Sequence, residues 1–288
     1  MTKPIFTGVC TALVTPFLEN RLNTPMLRQL IRRQELAGVD ALLICGTTGE
    51  SAALTDTEKL ELFKTSREAI PESVPFIAGT GSNNTAHAVA LSQAAQELGA
   101  DALLVVSPYY NKATEEGLYR HYRHIAEAVS IPVILYNVPS RTGLDIPVSV
   151  YQKLAEIPNI VGVKEASADI RKIAWTRHQC PRDFSVWCGN DDLAVPALSL
   201  GASGVISVVS NVEPELTRAM TKAALDGDFD TASDLQCKLL PLIQALFREV
   251  NPVPVKEALK QIGLDCGSCR LPLGNASPET KEALASLL

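Results

Sequence analysis

About eight short apolar runs recur along the chain, and a helix-like segment follows each of them. They cover residues 8–14, 41–45, 76–78, 102–106, 133–136, 161–164, 185–188 and 204–208. Most are apolar throughout instead of alternating, as parallel strands are when helices cover both faces of their sheet. Repeated βα units in about this number close a parallel barrel. The competing arrangement, an open doubly wound sheet, carries Gly-x-Gly-x-x-Gly after its first strand, and no such motif follows residue 14. The pattern therefore predicts a (β/α)8 barrel of the TIM type.

Helix punctuation agrees with that reading. Thr24-Pro25 reads as a cap and first-turn proline, Gly38 as the stop, and Leu27, Leu30 and Ile31 as the inner face. Thr55 and Glu58 have capping-box spacing. Further helices are expected from 84 or 85 to 98, ended by Gly99, then over 114–129 and 146–157. After Val208 the strand signals stop, and 214–225, 229–248, 253–262 and 278–288 read as helical, with Pro241 expected to kink the second. The expected organisation is a barrel over 1–225 and a small carboxyl-terminal helical region over 226–288.

Composition narrows the function classes. Of 288 residues 46% are hydrophobic and 20% charged, which suffices for a large core. A net charge of −6 attracts neither nucleic acid nor an anionic membrane. Residues Met1 to Phe6 lack the apolar core of a signal peptide, and no apolar segment has the length of a membrane span. A soluble cytoplasmic protein is expected. The seven cysteines, at 10, 45, 180, 188, 237, 266 and 269, are scattered and read as buried thiols. Cys266-Gly267-Ser268-Cys269 stands alone, without a second pair or a nearby histidine. Asp191 and Asp192 lack companion ligands and read as a helix N-terminal pair. The histidines at 87, 121, 124 and 178 form no metal or triad pattern, and His121 and His124 read as one helical face. No metal site is expected.

The chemistry gathers where the strands end. In Ile160-Val161-Gly162-Val163-Lys164-Glu165-Ala166 a lone lysine closes an apolar run. A lysine amine held partly out of water is neutral for part of the time and nucleophilic, as a Schiff-base catalyst must be. The plain alternative is a strand-end lysine that reaches water. Gly46-Thr47-Thr48-Gly49-Glu50-Ser51 offers backbone N–H groups and hydroxyls to a small carboxylate, or is a simple strand-to-helix turn. Tyr136 at another strand tip suits proton transfer, or is core with a satisfied hydroxyl. Arg141, in the loop after Pro139-Ser140, suits a bidentate substrate carboxylate or a surface ion pair.

With Lys164, Tyr136 and residues 46–51 taken together, the chain resembles the dihydrodipicolinate synthase family. Those enzymes are pyruvate-dependent class I aldolases related to N-acetylneuraminate lyase. The resemblance runs from Gly8-Val9-Cys10-Thr11-Ala12-Leu13-Val14-Thr15-Pro16-Phe17 to Asn251-Pro252-Val253-Pro254-Val255-Lys256, and Tyr136-Asn137-Val138-Pro139-Ser140-Arg141-Thr142-Gly143 points to the synthase branch. It implies that Lys164 forms a Schiff base with pyruvate and that Tyr136 relays protons. Thr48 and Tyr110 would complete the relay, the tyrosine reaching in from a neighbouring subunit. Thr47 and Thr48 would hold the pyruvate carboxylate, Arg141 the carboxylate of aspartate semialdehyde, and Gly189 and Ile206 would line the pocket. No cofactor beyond the covalent pyruvate adduct is implied, and the assembly implied is a homotetramer built as a dimer of dimers.

The resemblance also implies a lysine-inhibition site at Ser51, Ala52, Asp56, Lys59, Asn83, His87 and Tyr109. Here Lys59 stands where a histidine is usual and His87 where a glutamate is usual, so weak or absent inhibition is expected. Two other functions fit parts of the pattern. One is a sister aldolase acting on a 2-keto sugar acid, which would differ at the entrance. The other is a non-catalytic barrel that senses a small keto acid.

Overall fold

The structure is a computed structural model that describes residues 4–288. The amino-terminal reading at Met1, Thr2 and Lys3 lies outside the described residues. The strands are β1 (Gly8–Ala12), β2 (Phe17–Leu18), β3 (Arg21–Leu22), β4 (Ala41–Ile44), β5 (Phe76–Gly79), β6 (Ala102–Val106), β7 (Val133–Asn137), β8 (Ile160–Glu165), β9 (Ser185–Cys188) and β10 (Gly204–Ser207). All but β2 and β3 pair in parallel and form one closed barrel, in the order β1-β10-β9-β8-β7-β6-β5-β4 and back to β1. The fold is the (β/α)8 barrel with helices following it at the carboxyl terminus. β2 and β3 form a small antiparallel hairpin that the apolar pattern does not reveal, because each contributes only two residues.

Strand pleating sorts the side chains into two layers. Val9, Leu42, Leu103, Leu135, Val163 and Val205 face outward into the main core beneath the helices. Cys10, Ala12, Leu43, Ile77, Leu104, Ile134, Tyr136, Trp187 and Ile206 fill the interior of the ring. Phe6 stacks on Trp187 with centroids 5.1 Å apart and accepts the indole N–H at 3.3 Å. Since Phe6 leads into β1, this pair plugs the amino-terminal end of the barrel. Gly162 makes room for it: a Cβ there would lie 2.8 Å from the Trp187 ring and 2.2 Å from the Ser185 carbonyl.

Most helices begin where their caps predict. Thr55 and Glu58 form the capping box, and Asn84 and Thr114 cap the helices Thr85–Glu97 and Glu115–Glu127. Asn23, rather than Thr24, caps the first helix, its side chain accepting the Met26 N–H at 3.2 Å. The helix expected over 146–157 is confined to Val148–Leu154. The Ile146 N–H is instead donated to Asn137 Oδ1 at 3.0 Å, and Pro147 is extended. His121 and His124 do not share an environment: His121 is buried against Thr85, and His124 is exposed.

After the last barrel strand come Pro214–Leu225, Phe229–Leu246, Val253–Gln261 and Pro278–Ala285. Pro241 lies inside the second. The segment around 251–270 is strapped onto the loops at the carboxyl ends of β1 and β4. Phe17 N–H donates to the Cys266 carbonyl at 2.8 Å. Lys256 pairs with Glu50 at 2.6 Å, both fully out of water, and Arg270 holds Glu58 through both Nη atoms at 2.9 and 2.5 Å. The Phe17 ring lies against both cations, 4.3 Å from Lys256 Nζ and 4.2 Å from the Arg270 guanidinium carbon. A buried ion pair of this kind is costly to break, because removal of one partner strands the other charge.

Candidate active site

Lys164 and Tyr136 are register partners on β8 and β7. Neighbours at one level of a parallel sheet point to the same side, so both enter the ring. Lys164 is 5% exposed, and its Nζ lies 4.4 Å from the centroid of the Tyr136 ring. On the other flank Lys164 is in register with Trp187 of β9. Gly189, just beyond β9, must lack a side chain, since a Cβ would sit 3.0 Å from Lys164 Cε and 2.7 Å from the Ala166 methyl. Ile206 lines the same interior and pairs with Cys10 of β1. Burial pushes the Cys10 thiol far above its ordinary range, so it stays a neutral wall.

The ends of β7 and β8 are locked from outside the barrel. Asn137 and Glu165 follow Tyr136 and Lys164, so pleating turns them away from the interior. Asn137 Nδ2 donates to Glu165 Oε1 at 2.9 Å and to Asp145 Oδ1 at 2.8 Å. Tyr151 donates to Glu165 Oε2 at 2.9 Å, and Lys172 bonds Asp145. A hydrogen-bonded network of this sort, buried at Asn137, Tyr151 and Glu165 and exposed at Asp145, fixes strand register. It holds the amine and the phenol at one level. The sequence reading missed it; its only signal was a glutamate ending an otherwise apolar strand.

At the tip of β4 the chain turns sharply. Cys45 closes the expected strand in a left-handed conformation, as does Glu50 at the far side of the turn. Bonds from Gly49, Glu50 and Ser51 N–H close the loop on Gly46 and Thr47 carbonyls at 3.0–3.4 Å. Thr15 braces it by donating to the Gly49 carbonyl at 2.7 Å. The N–H groups of Thr47 and Thr48 make no hydrogen bond among the described residues. Two adjacent open N–H groups are the elements of an anion nest. Thr48 is buried and accepts a bond from Asn251 Nδ2 at 3.0 Å, whereas the hydroxyl of half-buried Thr47 has no partner among the described residues.

Arg141 lies in the short helical turn Pro139–Thr142 and is exposed, with one Nη2 bond to the Asn251 carbonyl at 3.2 Å. Asp191 and Asp192 open the helical turn Asp191–Leu193, as expected, and Asp191 does more than face a helix dipole. It is buried, its Oδ2 accepts the Val208 and Val209 N–H groups at 2.9 Å each, and burial raises its carboxyl above the ordinary range. Tyr110 is not brought to the amine within this chain. It is 90% exposed, on a left-handed residue, and projects from the protomer.

Apart from Ser51 and Ala52, the residues of the expected lysine site fall into two bonded groups. Asp56 binds His87 Nε2 at 2.9 Å and Lys59 Nζ at 3.4 Å, and His87 Nδ1 meets Ser82 Oγ at 3.1 Å. Asn83 donates to the Tyr109 carbonyl at 3.3 Å, and Ser51 and Ala52 open the adjoining helical turn Ser51–Ala53. Cys266 and Cys269 are buried free thiols, each pushed up to about 12 by burial. Among the described residues no cluster of His, Cys, Asp and Glu has the form of a metal site, and no helix is long and apolar enough to cross a membrane.

Comparison with known proteins gives the family. The dihydrodipicolinate synthetase family model matches residues 5–288. A 4-hydroxy-tetrahydrodipicolinate synthase of Acetivibrio thermocellus is 49% identical over 288 residues, covering 100% of this chain and 98% of the relative. The crystal structure of dihydrodipicolinate synthase from Aquifex aeolicus superposes with a TM-score of 0.97 at 43% identity, over 98% of this chain and 97% of that one. A monomeric dihydrodipicolinate synthase variant superposes equally well, with a TM-score of 0.97 at 41% identity, over 99% of this chain and 96% of that one. A buried strand-end lysine against a phenol, beside an open nest of N–H groups, thus sits in a chain similar throughout to these enzymes, and the chain belongs to the dihydrodipicolinate synthetase family.

Proposed function

We propose that this chain condenses pyruvate with L-aspartate 4-semialdehyde to 4-hydroxy-tetrahydrodipicolinate, through a Schiff base on Lys164. The observation that carries the reading is the buried amine of Lys164 held 4.4 Å from the Tyr136 ring centroid, inside a closed ring of strands. Lys164 Nζ adds to the pyruvate carbonyl carbon and water leaves. The resulting iminium withdraws electrons, so the pyruvate methyl gives up a proton. The enamine attacks the aldehyde carbon, whose oxygen takes a proton and becomes the hydroxyl. The amine of the second substrate then adds to the former carbonyl carbon, displaces Lys164 and closes the ring. The iminium supplies the positive charge for the loss of the methyl proton and forms again once the new carbon–carbon bond is made. The reaction belongs to lysine biosynthesis by way of diaminopimelate.

The main-chain N–H groups of Thr47 and Thr48 receive the pyruvate carboxylate, Gly189 and Ile206 bound its pocket, and Arg141 receives the carboxylate of the semialdehyde. Thr48 was expected to serve the proton relay as well. The bond from Asn251 to Thr48 supports a different division of roles. An amide N–H only donates, so Thr48 accepts it and keeps one O–H for the carboxylate. Thr47, whose hydroxyl is unengaged, passes protons to Tyr136. Tyr110 enters the site of a second copy, a reading supported by its 90% exposure, within a homotetramer in the cytoplasm.

The test is a substrate panel. Pyruvate is supplied with aspartate semialdehyde and then with sugar aldehydes, and kcat/KM is compared. Preference for the semialdehyde is expected, because Arg141 at the entrance favours a short acidic aldehyde over a polyol. Equal or better use of a sugar aldehyde would contradict the assignment.

A further inference from the structure

We infer that Asn251 is a positioning residue for the condensation, tying the pyruvate nest to the entrance arginine from the carboxyl-terminal region of the chain. The inference rests on the proposed roles of Thr48 and Arg141. Asn251 is 5% exposed. Its Nδ2 donates to Thr48 Oγ1 at 3.0 Å, and its main-chain carbonyl accepts from Arg141 Nη2 at 3.2 Å. One residue outside the strands therefore touches a contact for each substrate.

The segment is docked on the nest loop three times, the Arg270 N–H also donating to Glu50 Oε2 at 2.8 Å. Beyond the Asn251–Thr48 bond, Lys256 pairs with Glu50 of the same loop at 2.6 Å. The ion pair fixes where the segment lies, and the amide then sets the rotamer of Thr48. Because the amide occupies a lone pair of Thr48, the O–H of Thr48 is directed elsewhere. It joins the open N–H groups of Thr47 and Thr48 as donors for one carboxylate. Asn251 Oδ1 is buried and has no hydrogen-bond partner among the described residues. A residue kept only for packing would avoid that cost, since an apolar side chain of similar size leaves no dry acceptor. The amide is retained for the bond it makes to Thr48.

The experiment uses the full chain with Asn251→Ala, Asn251→Asp, Thr48→Val and the double variant Asn251→Ala/Thr48→Val. The pyruvate concentration giving half-maximal borohydride trapping at Lys164 is read by mass, alongside KM, kcat and melting temperature. Asn251→Ala raises the half-trapping concentration about tenfold. Asn251→Asp keeps the shape but sets a carboxylate beside the nest, so it raises that concentration further, by about a hundredfold, with a melting temperature close to that of the parent. If Asn251 acts through Thr48, the double variant is shifted less than the product of the two single shifts. Should Asn251→Ala fail to fold, the isosteric Asp variant carries the test. Asp and parent trapping at one pyruvate concentration, or strictly multiplicative shifts, overturns the inference. A parent that forms no adduct at all overturns the role of Lys164 and this inference with it. A parent that traps normally beside unshifted variants overturns this inference alone.

Discussion

Lys164 and Tyr136 face each other across adjacent strands, with the amine nitrogen 4.4 Å from the centre of the phenol ring. That contact has two separable parts. The ring face stabilises a cation on nitrogen, while the hydroxyl moves protons. Tyr136→Phe keeps the first and removes the second. It should lower kcat by about a hundredfold to a thousandfold while the pyruvate adduct still forms on Lys164. Tyr136→Leu loses both and should also slow adduct formation. Rapid-quench mass spectrometry separates the two steps.

The neighbouring threonines should respond differently. Thr47→Val should lower kcat, by about a hundredfold, with little change in the KM for pyruvate. Thr48→Val should raise that KM about tenfold and leave kcat within a small factor. Steady-state kinetics on the two variants reads this directly. The reverse pattern would return the relay to Thr48.

Gly162 is set by packing. An added methyl would meet the Ser185 carbonyl at 2.2 Å and the Trp187 ring at 2.8 Å, and a strand carbonyl has little freedom to move. Gly162→Ala should destabilise the chain by about 3 kcal/mol. Urea unfolding followed by tryptophan fluorescence measures it, and it also reports on Trp187 itself.

The pairing of Asp56 with both His87 and Lys59 bears on inhibition by lysine. Two basic groups already share the one carboxylate, whose pKa is held low chiefly by the His87 bond. An incoming ammonium finds no unpaired acid there. Activity assayed against lysine concentration should show weak or no inhibition, whereas half-inhibition below millimolar lysine would refute this.

Acid should weaken the fold in two windows. Burial holds His121 at about 4, against an ordinary 6.5. The unfolded chain takes up that proton first, so the stabilisation is complete above pH 6.5 and is lost as pH falls toward 4. The Arg270 bonds hold Glu58 at about 2, against 4.5. Its contribution is complete above pH 4.5 and is lost as pH falls toward 2. Melting temperatures followed against pH should show both steps in the parent, only the Glu58 step in His121→Asn and only the His121 step in Glu58→Gln.

The barrel is legible in the sequence because its strands are buried on both faces and carry continuous apolar runs. Residues 102–106 and 185–188 coincide with β6 and β9, and other strand ends move by one or two positions. Local chemistry is legible too, as the Thr55–Glu58 capping box illustrates. What stays hidden depends on partners distant in sequence. Asn251 meets Thr48 across 203 positions, and neither residue alone signals the other. Asp191 reads as a helix start, which it is, but its bonds to the Val208 and Val209 N–H groups are not visible in the sequence. Pro147 stands within an apparently helical stretch, but Asn137 draws the Ile146 N–H away.

The most direct measurement is borohydride reduction of the protein in the presence of pyruvate, followed by peptide mass mapping. One reduced pyruvate should be found on the peptide bearing Lys164 and nowhere else, and Lys164→Ala should give none while melting like the parent. Absence of an adduct on that peptide, or full turnover by Lys164→Ala, would remove the amine from the chemistry.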